Sequence, residues 1–135
     1  MEHAVIAAQS PAMQKKMNSA KRHVNYFLSQ CGDKFPFKTF EDIKPEDLSD
    51  EFLGLLATYF GQTATGFFKN TKRPLAYLTA VGYMSGFKSA FLAKYKHLET
   101  IPSFLQQERW HTYLSAIYKL KYKYAMEQGT VSSTL

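Results

Sequence analysis

The sequence predicts an all-α fold built as a single bundle of four to five helices. Apolar residues recur at alternating three- and four-residue steps along most of the chain, which is the spacing of one helix face. No stretch alternates apolar and polar residues for long enough to predict a strand. With 135 residues, 45% of them hydrophobic, the chain can bury one core. We therefore expect a helical domain over residues 10–129, a flexible N-terminus over residues 1–9 and a linker stub over residues 130–135.

The first helix is predicted to begin at Ser10 and to end at Gly32. The Ser10 hydroxyl can cap the first turn, and Pro11 fits that turn because its missing amide hydrogen is not needed there. Glycine favours the left-handed conformation in which many helices end. The predicted apolar stripe consists of Met13, Met17, Ala20, Val24, Phe27 and Cys31.

An acidic connector leads to the second helix. Lys44 precedes a proline, so the chain should be extended there, and Ser49 or Asp50 is predicted to cap the helix that follows. This helix is apolar on most of its circumference, so we expect it to be the most buried element. Its apolar residues are Phe52, Leu53, Leu55, Leu56, Tyr59 and Phe60.

The third helix, predicted from Leu75 or Thr79 to Tyr95, has two different faces. The core face consists of Ala80, Val81, Met84, Phe87, Phe91 and Tyr95. The other face is nearly smooth and consists of Thr79, Gly82, Gly86, Ser89, Ala90 and Ala93. Because glycine inside a helix costs roughly 1 kcal/mol relative to alanine, something must come close to this face. Either another helix packs tightly there, or a nucleic acid does.

Pro102 and Ser103 predict the start of a fourth helix, which should run to about Gln128 and end at Gly129. Its inward residues are Trp110, Tyr113, Leu114, Ile117, Leu120 and Tyr124. Two further tyrosines can either pack on the bundle or stack with single-stranded bases, and these are Tyr118 and Tyr122. On the outward surface, beside Thr112 and Ser115, two lysines one turn apart can be either solvated or bound to phosphates, and these are Lys119 and Lys123.

Positive charge is segregated along the chain. The formal net charge is +6, from 17 basic and 11 acidic side chains, yet residues 53–98 contain no acid. Six of the 11 acids lie within residues 41–51. Lys72 and Arg73 immediately precede the third helix, where the positive end of the helix dipole favours an anion. Charge distributed in this way can steer a polyanion onto one face of a domain.

The third helix and its neighbours resemble a known family. Residues 75–95, LAYLTAVGYMSGFKSAFLAKY, resemble the helix with a Thr-x-x-x-Tyr-x-Ser pattern in the core-binding domain of tyrosine recombinases, the phage-integrase-like family. The pattern falls on Thr79, Tyr83 and Ser85. The segment TFEDIKPEDLSDEFLGLLATYF is similar to the family's acidic entry and buried helix, and IYKLKYKYAMEQG resembles the helix that leads to the catalytic domain. The resemblance spans roughly residues 10–129 and is closest to recombinases of Crypton-like mobile elements.

The resemblance implies a SAM-like bundle that clamps one side of duplex DNA, with the first and third long helices crossing the major groove. On the third helix it implies contacts on the smooth face, at Thr79, Gly82, Tyr83 and Gly86. On the first helix, the side opposite the apolar stripe carries basic and polar residues. The expected DNA-binding set is Lys15, Lys16, Ser19, Arg22, Lys72, Arg73, Thr79, Gly82, Tyr83, Gly86, Lys119 and Lys123. The two glycines have no side chain with which to read a base.

The chain is not expected to be an enzyme by itself. Strand cleavage in the resembled family needs a tyrosine nucleophile surrounded by arginines and histidines that include a His-x-x-Arg arrangement. No histidine of the chain has an arginine three positions later; the four are His3, His23, His97 and His111. We therefore expect a non-catalytic DNA-binding part whose partners are double-stranded DNA and a C-terminal catalytic domain.

No metal or other cofactor is expected, because the four histidines and the single cysteine lack metal-ligand spacing. Cys31 alone cannot form an internal disulfide, which favours an intracellular location in nucleus or cytoplasm. No run approaches the roughly 18 apolar residues of a membrane span, so no membrane partner is expected. Without DNA we expect a monomer. The alternative function is a helical protein-interaction adaptor that uses the Gly/Ala/Ser face of the third helix.

Overall fold

The computed structural model describes residues 10–66 and 73–127, with side chains described as far as residue 122. The bundle is formed by four α-helices, α1 Pro11–Gln30, α2 Asp50–Thr58, α3 Tyr77–Lys94 and α4 Gln107–Glu127. Shorter turns are the 3₁₀ turns Phe40–Asp42, Pro45–Asp47 and Ser103–Leu105, and a π-helical turn, Tyr59–Thr63, that extends α2. The predicted all-α class and the predicted helical bundle are confirmed.

The ends of α1 follow the predicted capping chemistry. The Ser10 hydroxyl accepts a hydrogen bond from the Met13 amide at 3.2 Å, and Pro11 occupies the first helical position. At the other end Gly32 has a φ of 59°, the left-handed conformation that stops a helix after its last turn. These two ends fix the length of α1 at 20 residues.

Phe52 joins α2 to the rest of the core. The Ser49 hydroxyl accepts a hydrogen bond from the Phe52 amide at 3.0 Å, which caps α2 and points the following residues inward. The Phe52 ring is fully buried and has ring centroids of α1, the connector and α3 within 5.1–6.3 Å, those of Phe27, Phe35, Phe37 and Phe87. Aromatic pairs at such distances add to the stabilisation from burial.

The chain that follows α2 is also held by specific contacts. Gly61, in the π-helical turn, is buried, and a Cβ atom there would lie 2.9 Å from Leu120 Cδ1 of α4. Glycine therefore lets α4 approach the end of α2. After this turn, the Leu75 amide donates to the Ala64 carbonyl at 3.1 Å, and an isolated bridge pairs Thr65 with Pro74. These bonds bring the chain back to the start of α3.

Helix α3 is packed on two sides. Its predicted core residues Ala80, Met84, Phe87 and Phe91 are buried as expected. Part of the opposite, small-residue face is buried as well, because α1 packs against it. Every residue from 80 to 95 is at least partly buried, whereas residues 76–79 at the start of the helix are exposed. The predicted open face of α3 is therefore reduced to its N-terminal part.

Candidate nucleic-acid interface

A groove runs between the N-terminal halves of α1 and α3. Its volume is about 310 Å³. The residues that line it, which together we call the α1–α3 groove, are Ala12, Lys15, Lys16 and Ser19 of α1 and Leu78, Thr79, Gly82 and Tyr83 of α3. Six of them belong to the predicted DNA-binding set, since only Ala12 and Leu78 were not predicted. The fold thus brings together basic and small polar residues that lie 60 or more positions apart in the sequence.

Lys16 and Gly82 fit each other across the groove. The Lys16 side chain extends over α3, and its Cε and Nζ atoms lie 3.6 Å from the position that a Cβ atom of residue 82 would take. The absence of a side chain at Gly82 therefore gives this lysine room to lie across the helix. Lys15, Lys16 and Thr79 are exposed, whereas Ser19 and Gly82 are partly buried in the groove.

Gly86, one turn further along α3, is not available to a ligand. It is buried, and a Cβ atom there would lie 3.2 Å from both Ala20 Cβ and the Lys16 carbonyl oxygen. The close approach that glycine permits at this position is that of α1, not of a nucleic acid. Packing of α1 accounts for this glycine, and the expected contact of Gly86 with DNA stays a prediction.

Tyr83 forms one wall of the groove and is held by a buried histidine. The ring centroids of Tyr83 and His23 are 4.8 Å apart, and only 1% of the His23 surface is exposed. His23 Nδ1 shares a hydrogen bond of 2.9 Å with the Tyr59 hydroxyl. Burial and then the neighbouring Arg22 lower the pKa of His23 to about 4, so its ring is neutral at neutral pH. Burial is the main cause that raises the pKa of Tyr59, and the neighbouring Tyr26 raises this pKa further. The phenol therefore keeps its proton.

We expect acid to destabilise the bundle through His23. Its folded-state pKa of about 4 lies below the ordinary value of 6.5, so the unfolded chain takes up a proton first as the pH falls. Above pH 6.5 this preferential protonation of the unfolded chain is absent. As the pH falls from 6.5 toward 4, it lowers the free energy of unfolding. Urea unfolding at pH 7, 6 and 5 should show the free energy of unfolding falling by about 2 kcal/mol over that range. His23→Gln keeps a partner for Tyr59 but cannot titrate, so its stability should be nearly flat over the same range. An equal fall in both proteins would contradict this assignment.

The acidic segment lies against other cations, away from the groove. Helices α1 and α3 contain no aspartate or glutamate, and none of the described groove-lining residues is acidic. The acids of the connector and of the start of α2 instead form ion pairs at 3.1–3.4 Å, namely Glu41 with Lys94, Asp50 with Arg109 and Glu51 with Lys34. These pairs offset positive charge at the ends of α1, α3 and α4. The groove keeps its positive charge.

Asp50 is the acid most tightly held. The Tyr113 hydroxyl donates to Asp50 Oδ1, and Arg109 Nη2 lies 3.1 Å from Oδ2. The Tyr113 hydrogen bond, and after it Arg109, hold the pKa of this carboxyl below its usual value. These contacts of Asp50 join the start of α2 to α4, so part of the acidic segment stabilises the fold.

The remaining predicted residues lie around the groove or outside the described residues. Arg22 is exposed on α1, three positions after Ser19, and Arg73 is exposed just before α3. Lys119 is exposed on α4 and does not line the groove. Lys72 and the side chain of Lys123 lie outside the described residues. The positively charged surface that the structure assembles is thus centred on α1.

Neither a metal centre nor a membrane-spanning helix is present in the described part of the chain. Over these residues, no three or more histidine, cysteine, aspartate or glutamate side chains cluster in a way that could hold a metal ion. Within the same ranges, no helix has the length and apolar character required to cross a bilayer.

Comparisons of the chain with protein-family models, with curated proteins and with solved structures gave no match. The class that the fold and the site define is therefore an all-α bundle with a basic groove between two of its helices. The likeness to tyrosine recombinases stays a prediction.

Proposed function

We propose that the chain binds double-stranded DNA and that the α1–α3 groove receives the sugar-phosphate backbone. One observation carries this proposal: six residues selected from the sequence converge on one groove, and its described lining is free of carboxylates. Two exposed lysines, Lys15 and Lys16, supply the charge. Cationic side chains that neutralise phosphates release condensed counterions, which is the main source of affinity in such complexes.

The two helices of the groove expose different amounts of surface. Helix α1 exposes a long surface that includes Lys15, Asn18 and Arg22, whereas α3 is exposed only in its first turn. In the proposal α1 therefore lies along the DNA, and α3 contributes its N-terminal end. A helix 10–12 Å wide matches the width of the major groove, about 12 Å.

Phosphate contacts are expected to dominate over base contacts. Thr79 and Ser19 have hydroxyl groups that can donate to or accept from base edges, but Gly82 offers no side chain. With few such groups, the affinity should depend more on the presence of a duplex than on its sequence.

The biological setting proposed for this activity is DNA recombination and integration. The Thr79, Tyr83 and Ser85 pattern supports it, since two of the three positions, Thr79 and Tyr83, line the groove. In this setting the chain is the DNA-binding part of a tyrosine-type recombinase, and a separate catalytic domain supplies the nucleophile.

Salt dependence tests the proposal. If Lys15, Lys16, Arg22 and Arg73 each neutralise one phosphate, the logarithm of the association constant should fall with the logarithm of salt concentration with a slope of about −3.6. Between 50 and 200 mM salt the affinity for a labelled 20-bp duplex should then fall by about 150-fold. Fluorescence anisotropy at four salt concentrations measures the slope.

The adaptor alternative makes the opposite prediction for the same experiment. A protein partner that packs on the small-residue face should bind with little salt dependence, and the duplex should bind weakly or not at all. Absence of duplex binding at 50 mM salt would refute the proposed function. Gly86 is buried against α1 and Ala90 is also buried, which already removes part of the face that such an adaptor would use.

A further inference from the structure

Three exposed tyrosines form a cluster at the junction of α3 and α4. The rings of Tyr77 and Tyr118 meet nearly at right angles, with centroids 5.6 Å apart and an angle of 82°. Tyr118 and Tyr122, one helical turn apart, are nearly parallel, with centroids 6.3 Å apart and an angle of 18°. Exposure remains high in all three, at 37%, 54% and 40% for Tyr77, Tyr118 and Tyr122. We call these three residues the tyrosine cluster.

This exposure is not explained by the bundle core. The neighbouring aromatic residues of α4, Trp110 and Tyr113, are only 4% and 5% exposed, so the helix has already placed its core aromatics inward. Tyr118 and Tyr122 lie about 40° apart around the helix axis, on the outward side. Exposed aromatic clusters of this kind mark binding surfaces in soluble domains.

Lysines flank the tyrosine cluster on both sides. At 100° per residue, Lys119 lies on one side of the Tyr118–Tyr122 stripe and Lys121 on the other. Helix α4 contains no acid between Glu108 and Glu127, so no carboxylate of this helix competes for these lysines. Burial lowers the pKa of Lys121, and a neighbouring anion would replace part of the solvation that this ammonium group has lost.

We propose that the tyrosine cluster is a second site, which binds single-stranded nucleic acid by stacking unpaired bases on Tyr118 and Tyr122 while Lys119 and Lys121 contact the phosphates. Aromatic faces accept any base, and flanking cations follow the backbone, which is the combination that binds single strands without sequence preference. Charge complementarity favours this ligand over an apolar protein surface, because four of the five residues 118–122 are tyrosine or lysine. The site does not share residues with the α1–α3 groove, and the inference does not depend on the groove.

The test uses the full chain and two fluorescently labelled 12-mers, oligo-dT and oligo-rU. The wild type is expected to bind at least one of them, and the ratio of the two affinities assigns the strand to DNA or RNA. Tyr118→Leu with Tyr122→Leu removes both aromatic faces but keeps apolar side chains of good helix propensity. This double variant should bind the preferred 12-mer about 100-fold more weakly.

Two further variants make the result specific to the rings. Tyr118→Phe with Tyr122→Phe keeps both aromatic faces and should bind within threefold of the wild type. Tyr26→Leu removes a tyrosine that is 50% exposed on α1, outside the cluster, and should also change binding by less than threefold. Circular dichroism and thermal unfolding of each variant confirm that it is folded.

Several outcomes would overturn the inference. Wild-type affinity in the folded Leu variant would exclude stacking on these rings, and an equal loss in the Phe variant would assign the effect to the hydroxyl groups. If the wild type binds duplex DNA but neither 12-mer, this inference fails and the proposed function stands. If at least one 12-mer binds and the Leu variant weakens that binding as expected, but duplex does not bind, the tyrosine cluster stands and the groove proposal fails.

Discussion

Replacing Lys15 and Lys16 together by glutamate is expected to weaken binding to a 20-bp duplex by at least about 60-fold at 0.1 M salt. A phosphate contact with a salt slope of 0.9 is worth a factor of about 8 at this concentration, and two such contacts are worth about 60. Glutamate adds repulsion to this loss. The slope of the salt plot should also become shallower by about 1.8. Anisotropy titrations of the double variant and the wild type measure both quantities.

The matched control reverses two other exposed lysines of the same chain. Lys34 and Lys38 lie beyond the C-terminal end of α1, where they pair with Glu51 and Asp33 at 3.4 and 3.1 Å. Gln30 lies 14 positions after Lys16 in the helix, which corresponds to about 21 Å. Lys34→Glu with Lys38→Glu changes the net charge by the same amount but should weaken duplex binding by less than fivefold. Equal losses in the two double variants would show that overall charge acts, not the α1–α3 groove.

Much of the groove could be predicted because it depends on local helical spacing. Lys15 and Ser19 are four residues apart on α1, and Thr79 and Tyr83 are four residues apart on α3, so each pair shares a face in any helix. Capping by Ser10 and the break before Pro45 also follow from local chemistry. These features need no knowledge of how the helices are packed.

The different packing environments of Gly82 and Gly86 could not be predicted in the same way. Gly82 and Gly86 share one face of α3, and spacing alone assigns them the same environment. The difference depends on where α1 passes over α3. The Lys16 side chain reaches Gly82, but its carbonyl oxygen and Ala20 lie directly against Gly86. A crossing point of this kind is a property of tertiary packing.

His23 is a buried residue that the apolar stripe omitted. It lies three residues after Ala20 and four before Phe27, so the spacing itself was a usable signal. The stripe left it out because histidine is a polar residue type, and its partner Tyr59 is 36 positions away. The buried phenylalanines of the connector, Phe35, Phe37 and Phe40, offered no helical period to read.

The charge pattern predicted a basic surface but not which cations pair with acids. Within residues 53–98, Lys94 lies against Glu41 and Lys88 over the Trp110 ring at 5.4 Å, so neither contributes to the groove. The Asp50–Arg109 pair joins residues 59 positions apart. Because such pairs form only after folding, the sequence alone did not show which cations are paired with acids.

Gly86→Leu is expected to lower the free energy of unfolding by about 3 kcal/mol. A Cβ atom at this position already lies 3.2 Å from Ala20 Cβ and from the Lys16 carbonyl oxygen, and leucine adds three further carbons. The carbonyl belongs to the backbone of α1, so it cannot move without shifting the helix. Urea unfolding at pH 7 measures the change. Duplex binding of the variant, measured where it is still folded, should also weaken because the displaced α1 carries Lys15 and Lys16.

Gly82→Ala is the matched control on the same helix face. Its new methyl group would meet only the flexible end of Lys16, at the ordinary contact distance of 3.6 Å. Since alanine is a better helix former than glycine, this substitution should raise the free energy of unfolding by up to about 1 kcal/mol. The two substitutions, one turn apart, should therefore change the free energy of unfolding in opposite directions. This result is expected if α1 packs against Gly86 but not against Gly82. Stabilisation by both substitutions would show that α1 does not lie against Gly86 in solution, and the groove that this contact shapes would then lack its basis.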